Sequence, residues 1–236
     1  MNILAIETTE KFGSVALLQS GGSEGQDTTI LAEIVLPKDR RSSQTLHPAL
    51  HTLFETTHTA PKEVGVVAVV AGPGSFTGLR VGVTAAKVFA YSVGAKVIAL
   101  DTFQTVASGI PNTVSRAISV GVDAQRGEVV AAVLRQTAEG RVEMIREPAL
   151  MPLVEWWRHA ELHDDVLFTG PALEKWCTKA PPHLTLAEES FWFPKASVAG
   201  KLVAEQLVSG YFDDVWSLLP IYSRLSAAEE KRNAAR

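Results

Sequence analysis

The sequence holds one cysteine, Cys177, among 236 residues. A lone thiol forms no internal disulfide and cannot supply the paired-cysteine ligand sets of structural zinc sites. Long apolar runs are missing too. The longest, Val64–Ala71, falls far short of the ~20 residues a membrane-spanning helix needs. The opening MNILAIETTE has no basic segment, extended apolar stretch or small-residue cleavage site, so it does not read as a secretory leader. Positive charge is not in surplus: 22 Lys and Arg stand against 26 Asp and Glu, a formal net charge of −4. A chain that held a nucleic-acid backbone alone would normally be basic, because phosphate neutralisation dominates that affinity. The remaining composition, 46% apolar and 20% charged, is that of a globular protein and excludes wholesale disorder. These features point to a soluble cytoplasmic protein of one to two domains.

The chain opens with three predicted strands. Asn2–Glu7 and Phe12–Leu18 form a hairpin through the polar Thr8–Lys11 link, and Thr29–Leu36 follows the Gly/Ser-rich turn Ser20–Gln26. After the charged loop Pro37–Arg41, Ser42 or Ser43 is placed to cap a helix over Gln44–Thr57, with Leu46, Leu50, Leu53 and Phe54 at helical spacing. Val64–Ala71 does not alternate and reads as a strand buried on both faces. A second helix spans Leu79–Val93, apolar nearly all round, ended by Gly94 and followed by a strand over Lys96–Leu100 that ends at Asp101. The second half reads as a degraded copy. It has strands at Ala117–Asp123, Glu128–Leu134 and Val142–Leu150, short helices at Pro152–His159 and Leu173–Lys179 around a strand at Val166–Thr169, and an amphipathic helix at Ser197–Ser209.

Between the buried strand and the second helix lies Gly72-Pro73-Gly74-Ser75-Phe76-Thr77-Gly78. A phosphate-binding P-loop would end in Gly-Lys-Ser/Thr, whereas this one continues Gly78-Leu79-Arg80 with no lysine before Lys87. A dinucleotide fingerprint would need a third glycine or alanine where Thr77 stands, although Asp101 occupies the place of a ribose-binding acid. The plain structural alternative is a tight turn whose glycines allow close packing.

The string GPGSFTGLRVG is more specific than either motif and resembles the signature of the TsaB (YeaZ) family. NILAIETT followed by SVALL, the Ser43–Pro48 segment, VDAQRGEVVAAV at Val122–Val133, FTGPAL at Phe168–Leu173 and PIYSR at Pro220–Arg224 are similar to the same family in order and spacing. The resemblance implies an α/β, actin-like ATPase fold (ASKHA, ribonuclease H-like) of two β-β-β-α-β-α lobes, the second degraded. In residue terms this gives an N-terminal lobe over 1–105, a C-terminal lobe over 106–225 and a charged tail at 226–236. It also implies a non-catalytic subunit that binds and activates TsaD, which transfers a threonylcarbamoyl group to N6 of adenosine 37 in tRNAs reading ANN codons. TsaE, an ATPase, would dock on the assembled pair, a homodimer would form when TsaD is missing, and tRNA would be met only through the complex. TsaD carries a metal in an HxxxH motif after the strand that follows the glycine loop; the matching positions here are Thr102 and Val106. Neither is an effective ligand, and valine has no donor atom. No metal, cofactor or membrane is implied, and ATP or ADP only weakly or at the complex interface.

On this reading Gly72, Pro73, Gly74, Ser75, Phe76, Thr77, Gly78 and Arg80 form the signature loop, and Leu46, Leu50, Leu53, Phe54, Val83, Lys87 and Tyr91 the partner-facing side of the two helices. His47 and His51 have metal-compatible i, i+4 spacing but no third ligand nearby. Glu7 ends the first strand where kinases of this fold carry an acid, and Asp123 holds the same place in the second half. A small-molecule kinase or ATPase is therefore the alternative. Cys177 beside Trp176 reads as packing, and the tryptophans at 156, 157, 176, 192 and 216 as the core of the second lobe.

Overall fold

The computed structural model describes residues 1–21, 28–111, 116–137, 141–161 and 165–224. The predicted tail at 226–236 and nearly all of the predicted turn over 20–26 lie outside the described residues. Two five-stranded sheets organise the rest. The first contains β1 (Asn2–Glu7), β2 (Ser14–Ser20), β3 (Thr28–Val35), β4 (Val64–Gly72) and β5 (Lys96–Asp101), in the order β3-β2-β1-β4-β5. The second contains β6 (Ala117–Asp123), β7 (Glu128–Gln136), β8 (Val142–Pro152), β9 (Val166–Thr169) and β10 (Thr185–Leu186), in the order β10-β9-β6-β7-β8. In each sheet the first three strands run antiparallel, and the fourth lies parallel to the first. The two orders superpose strand for strand, so the repeat expected from element order is present in the topology. The antiparallel opening also removes the dinucleotide-binding alternative, whose sheet is built from parallel βαβ units.

Both faces of the first sheet are covered, which is why its strands read as continuous apolar runs. Leu4, Ile6, Val67 and Val69 face α1 (Ser42–Thr57) and α2 (Phe76–Val93), while Ile3, Ala5, Val66 and Ala68 face α6 (Ala196–Gln206). The second sheet packs one face on α4 (Leu153–Trp157) and α5 (Leu173–Trp176), the other on α3 (Thr102–Ser108).

The expected lobe boundary needs correction at both ends. α3 begins before residue 106, yet Phe103, Val106 and Ala107 pack on the second sheet with Ile118, Val120 and Leu134. α6 lies deep in the nominal second lobe, yet Ala196, Ala199 and Val203 pack on the first sheet. Each of these helices follows the fifth strand of one sheet and covers the other.

Several boundaries move for local reasons. α1 starts at Ser42 rather than after a serine cap: the carbonyl of Arg41 accepts from the Gln44 amide at 2.8 Å, with no side-chain cap. α2 starts at Phe76, three residues before the predicted start, because Ser75 is its N-cap and its Oγ accepts from the Gly78 amide at 3.4 Å. Gly94 ends it in the left-handed region at φ 74°, as predicted. Trp156 and Trp157 stack at 4.4 Å in the second core, and Trp176, Trp192 and Cys177 pack around it. Trp216 is the exception: it is 71% exposed, on a segment that returns along α2.

Candidate functional site

The signature loop packs closely against the first hairpin. The turn between β1 and β2 lies against it: the Ser75 amide donates to the Thr9 carbonyl at 2.6 Å, and the Thr8 hydroxyl donates to the Gly78 carbonyl at 2.8 Å. A Cβ at Gly78 would overlap the Thr8 carbonyl oxygen, one at Gly82 the Thr8 hydroxyl, and one at Gly74 would stand 2.8 Å from the Thr9 Cβ. The glycines therefore exist for close approach. The surface they admit is the β1–β2 turn, which packs directly on the loop and the start of α2.

Glu7 is fully buried beneath this contact. Its Oε1 accepts from the Thr9 hydroxyl at 2.6 Å and from the Thr9 amide, while Oε2 has no hydrogen-bond partner among the described residues. Burial pushes the carboxyl up to about 8, against the opposing pull of the Thr9 hydroxyl and amide. Glu10 lies nearer the opening. Its carboxyl is also pushed up to about 8, first by desolvation and then by the neighbouring carboxylates of Glu7, Glu174 and Asp123. Asp123, the counterpart of Glu7, is held by the Lys175 ammonium at 3.1 Å and the Trp176 indole N–H at 3.1 Å.

Asp101 is occupied as the N-cap of α3, accepting from the Gln104 amide at 2.7 Å. Burial raises its pKa. Thr102, the first position aligned with the metal motif, is fully buried and donates to the Pro73 carbonyl at 2.6 Å. Val106, the second, is core. The two positions tie the signature loop to the second sheet. His47 and His51 are both exposed on α1, and His51 Nδ1 lies 3.2 Å from Glu55 Oε2.

The expected partner-facing set divides. Leu46, Leu53 and Val83 are at most 4% exposed and pack on the chain's own first sheet, so they cannot meet a partner. Leu50 and Phe54 are half-buried, and Phe54 stacks on Phe89 of α2 with centroids 5.6 Å apart. The Lys87 ammonium is held by the carbonyls of Trp216 at 3.1 Å and Leu218 at 2.9 Å. Tyr91 is exposed, as is Val88, which helical spacing also puts on the outer face. Trp216 meets Tyr91 edge-on at 5.1 Å and extends that apolar surface.

Residues 213–224 form a strap that sequence reading missed beyond the motif PIYSR. The Asp213 amide donates to the Val97 carbonyl, and the Ile221 amide donates to the Ala71 carbonyl at 2.7 Å. Tyr222 stacks on Phe76 at 4.4 Å and accepts from Arg80, whose guanidinium lies over the Phe76 ring at 4.1 Å. Arg224 then reaches the second lobe and pairs with Glu128 at 2.9 Å. Strap, signature loop and the β6–β7 turn border an interlobe cleft of about 1120 Å³.

Two mixed sheets related by an internal repeat, with a cleft between them, define a two-lobed protein of the actin-like class. A family model described as TsaD, tRNA N6-adenosine threonylcarbamoyltransferase, matches residues 29–203. The tRNA threonylcarbamoyladenosine biosynthesis protein TsaB of Bacillus subtilis (strain 168) is 30% identical over 98% of this chain and 97% of its own. The protein of the same description from Escherichia coli (strain K12) is 27% identical, over 98% of both chains. The solved structure of YeaZ from Pseudomonas aeruginosa has the same fold, with a TM-score of 0.74 at 22% identity, covering 94% of this chain and 99% of that one. The chain belongs to the TsaB family, on the TsaD-related branch of the actin-like fold.

Proposed function

We propose that this chain acts in threonylcarbamoyladenosine biosynthesis as a non-catalytic subunit that binds a TsaD-type transferase and holds it in an active conformation. The observation that carries the reading is the state of the signature site. Thr102 and Val106 stand where TsaD-type chains carry metal ligands, one bonded to Pro73 and the other packed in the second core. Thr8 and Thr9 pack directly on the signature glycines. The loop is thereby braced as a rigid support, Val106 has no donor atom, and the Thr102 hydroxyl is already engaged. The surface available to the transferase is the outer side of α2 with the strap, centred on Val88, Tyr91 and Trp216, which are 62%, 67% and 71% exposed. An apolar patch of this kind marks a protein interface. The partner's gain would come from contacts made to only one of its conformations. The same face would pair two copies when the transferase is absent, a TsaE-type ATPase would dock on the assembled pair, and tRNA would be engaged by the complex. The kinase or ATPase alternative gains no support from the close packing of Thr8 and Thr9 on the loop.

Gel filtration with a TsaD-type partner at micromolar concentration tests the reading, with a joint complex as the expected result. Val88→Asp, at the exposed position, is expected to keep the fold and lose the complex. Val83→Asp, at a position 2% exposed, is expected to unfold the chain, because a buried unpaired charge has no compensation. Absence of a complex with the wild-type chain, or nucleoside triphosphate turnover by that chain alone, overturns the proposal.

A further inference from the structure

We infer that the rim of the interlobe cleft is a contact surface for the phosphate backbone of RNA. The inference rests on the function proposed above, which brings this chain to tRNA, and assigns it a direct share in holding that RNA. The formal net charge of −4 hides an uneven distribution. Lys38, Arg40 and Arg41, on the loop before α1, line one side of the cleft, and Arg126, on the β6–β7 turn, lines the other. No ion pair joins Lys38, Arg40 or Arg41 to a carboxylate among the described residues, and all three are exposed. The Lys38 ammonium rests over the Phe12 ring at 3.8 Å, which leaves its charge available.

The same cleft also carries carboxylates. Glu10, Asp123 and Glu174 line it, and the nearby lysines are spent on them: Lys11 on Glu174 at 3.3 Å, Lys175 on Asp123 at 3.1 Å. Asp123 and Glu174 are thus paired and burial holds Glu10 protonated up to about pH 8, so the net charge of the cleft comes from the cations on its rim, which suits an extended anion running along the edge. A mononucleotide fits poorly for two reasons. The β1–β2 turn is bonded to the signature loop, and the lining aromatics Phe76 and Tyr222 are stacked on each other, with the Arg80 guanidinium 4.1 Å from the Phe76 ring. Guanidinium groups on an exposed loop suit successive backbone phosphates, which they bind by charge-assisted, often bidentate hydrogen bonds.

The test titrates unmodified tRNA against the assembled complex with the TsaD-type partner, across a salt series. The variants are Lys38→Gln/Arg40→Gln/Arg41→Gln, Arg126→Gln, and a control, Lys62→Gln/Lys201→Gln, that removes charge away from the cleft. The triple variant is expected to bind tRNA at least tenfold more weakly at low salt. The slope of log affinity against log salt should shrink by ~0.7–0.9 for each phosphate left without its cation. Arg126→Gln should weaken binding in the same sense, with partner capture on gel filtration unchanged and the control variant like wild type. Unchanged affinity in the folded triple variant overturns the inference, as does an equal loss in the control. Displacement of tRNA by ATP or polyglutamate at lower concentration than by an RNA oligonucleotide also overturns it, since the site would then be one for nucleotides or acidic proteins. If the wild-type chain captures no partner, the function proposed above fails by itself, and the same titration on the isolated chain decides the RNA contact.

Discussion

Glu7→Gln offers a sharp probe of the signature site, because Glu7 is buried with one oxygen bonded to Thr9 and the other unpartnered among the described residues. The folded chain holds this carboxyl's proton up to about pH 8, whereas the unfolded chain releases it near 4.5. Between those values the native state binds more protons than the unfolded state, so stability falls as pH rises. The contribution is complete below about 4.5, declines through the window and is gone above about 8. The slope for one such group is about 1.4 kcal/mol per pH unit, or about 3 kcal/mol between pH 5.5 and 7.5. Glu10, pushed up to a similar value, adds in the same direction. Glutamine keeps the acceptor for Thr9 and resembles the protonated acid. Urea unfolding of both proteins at pH 5, 6, 7 and 8 reads the difference. The variant is expected to lose one group's share of the slope and to exceed wild-type stability near pH 8, with the two converging toward pH 4.5. Wild-type stability that rises over this range, or a glutamine variant with an undiminished slope, would refute the assignment of a neutral Glu7.

Gly78→Ala is expected to cost about 1–3 kcal/mol, since its methyl would meet the Thr8 backbone and no side-chain rotation relieves the overlap. Calorimetry should show a fall in melting temperature of about 2–4 °C for each kcal/mol. Thr102→Val removes the donor to Pro73 and leaves a buried carbonyl unpaired, a loss of about 1–3 kcal/mol in chemical denaturation. Thr102→Ser should recover most of it, and a valine variant as stable as wild type would show that the bond contributes nothing.

Much of the fold was legible because burial leaves a direct trace in sequence. β1, β6 and β9 match their predicted limits residue for residue, and the repeat was readable from element order. What resisted reading were contacts distant in sequence. The glycines of the signature announced a close approach without naming the visitor, which proved to be Thr8 and Thr9, about seventy residues away. The apolar girth of α2 suggested an outward-facing interface, but Val83 is absorbed by the chain's own sheet, as Leu46 and Leu53 are on α1. α3 escaped prediction because its seven residues give too few turns for a periodic signal. The strap has no regular secondary structure to betray it, and only the motif PIYSR hinted that the segment mattered.

The exchange of α3 and α6 between the sheets has a consequence for how such a molecule can be taken apart. A fragment ending after α3 would carry a helix shaped for the missing half and leave Ile3, Ala5 and Val66 without the cover that α6 gives them. Severing the chain between the halves therefore yields two pieces that each lack a wall, not two small proteins. A stand-alone version of one half could close only by lending its last helix to a twin and borrowing the twin's in return, the reciprocal swap that makes two-fold dimers.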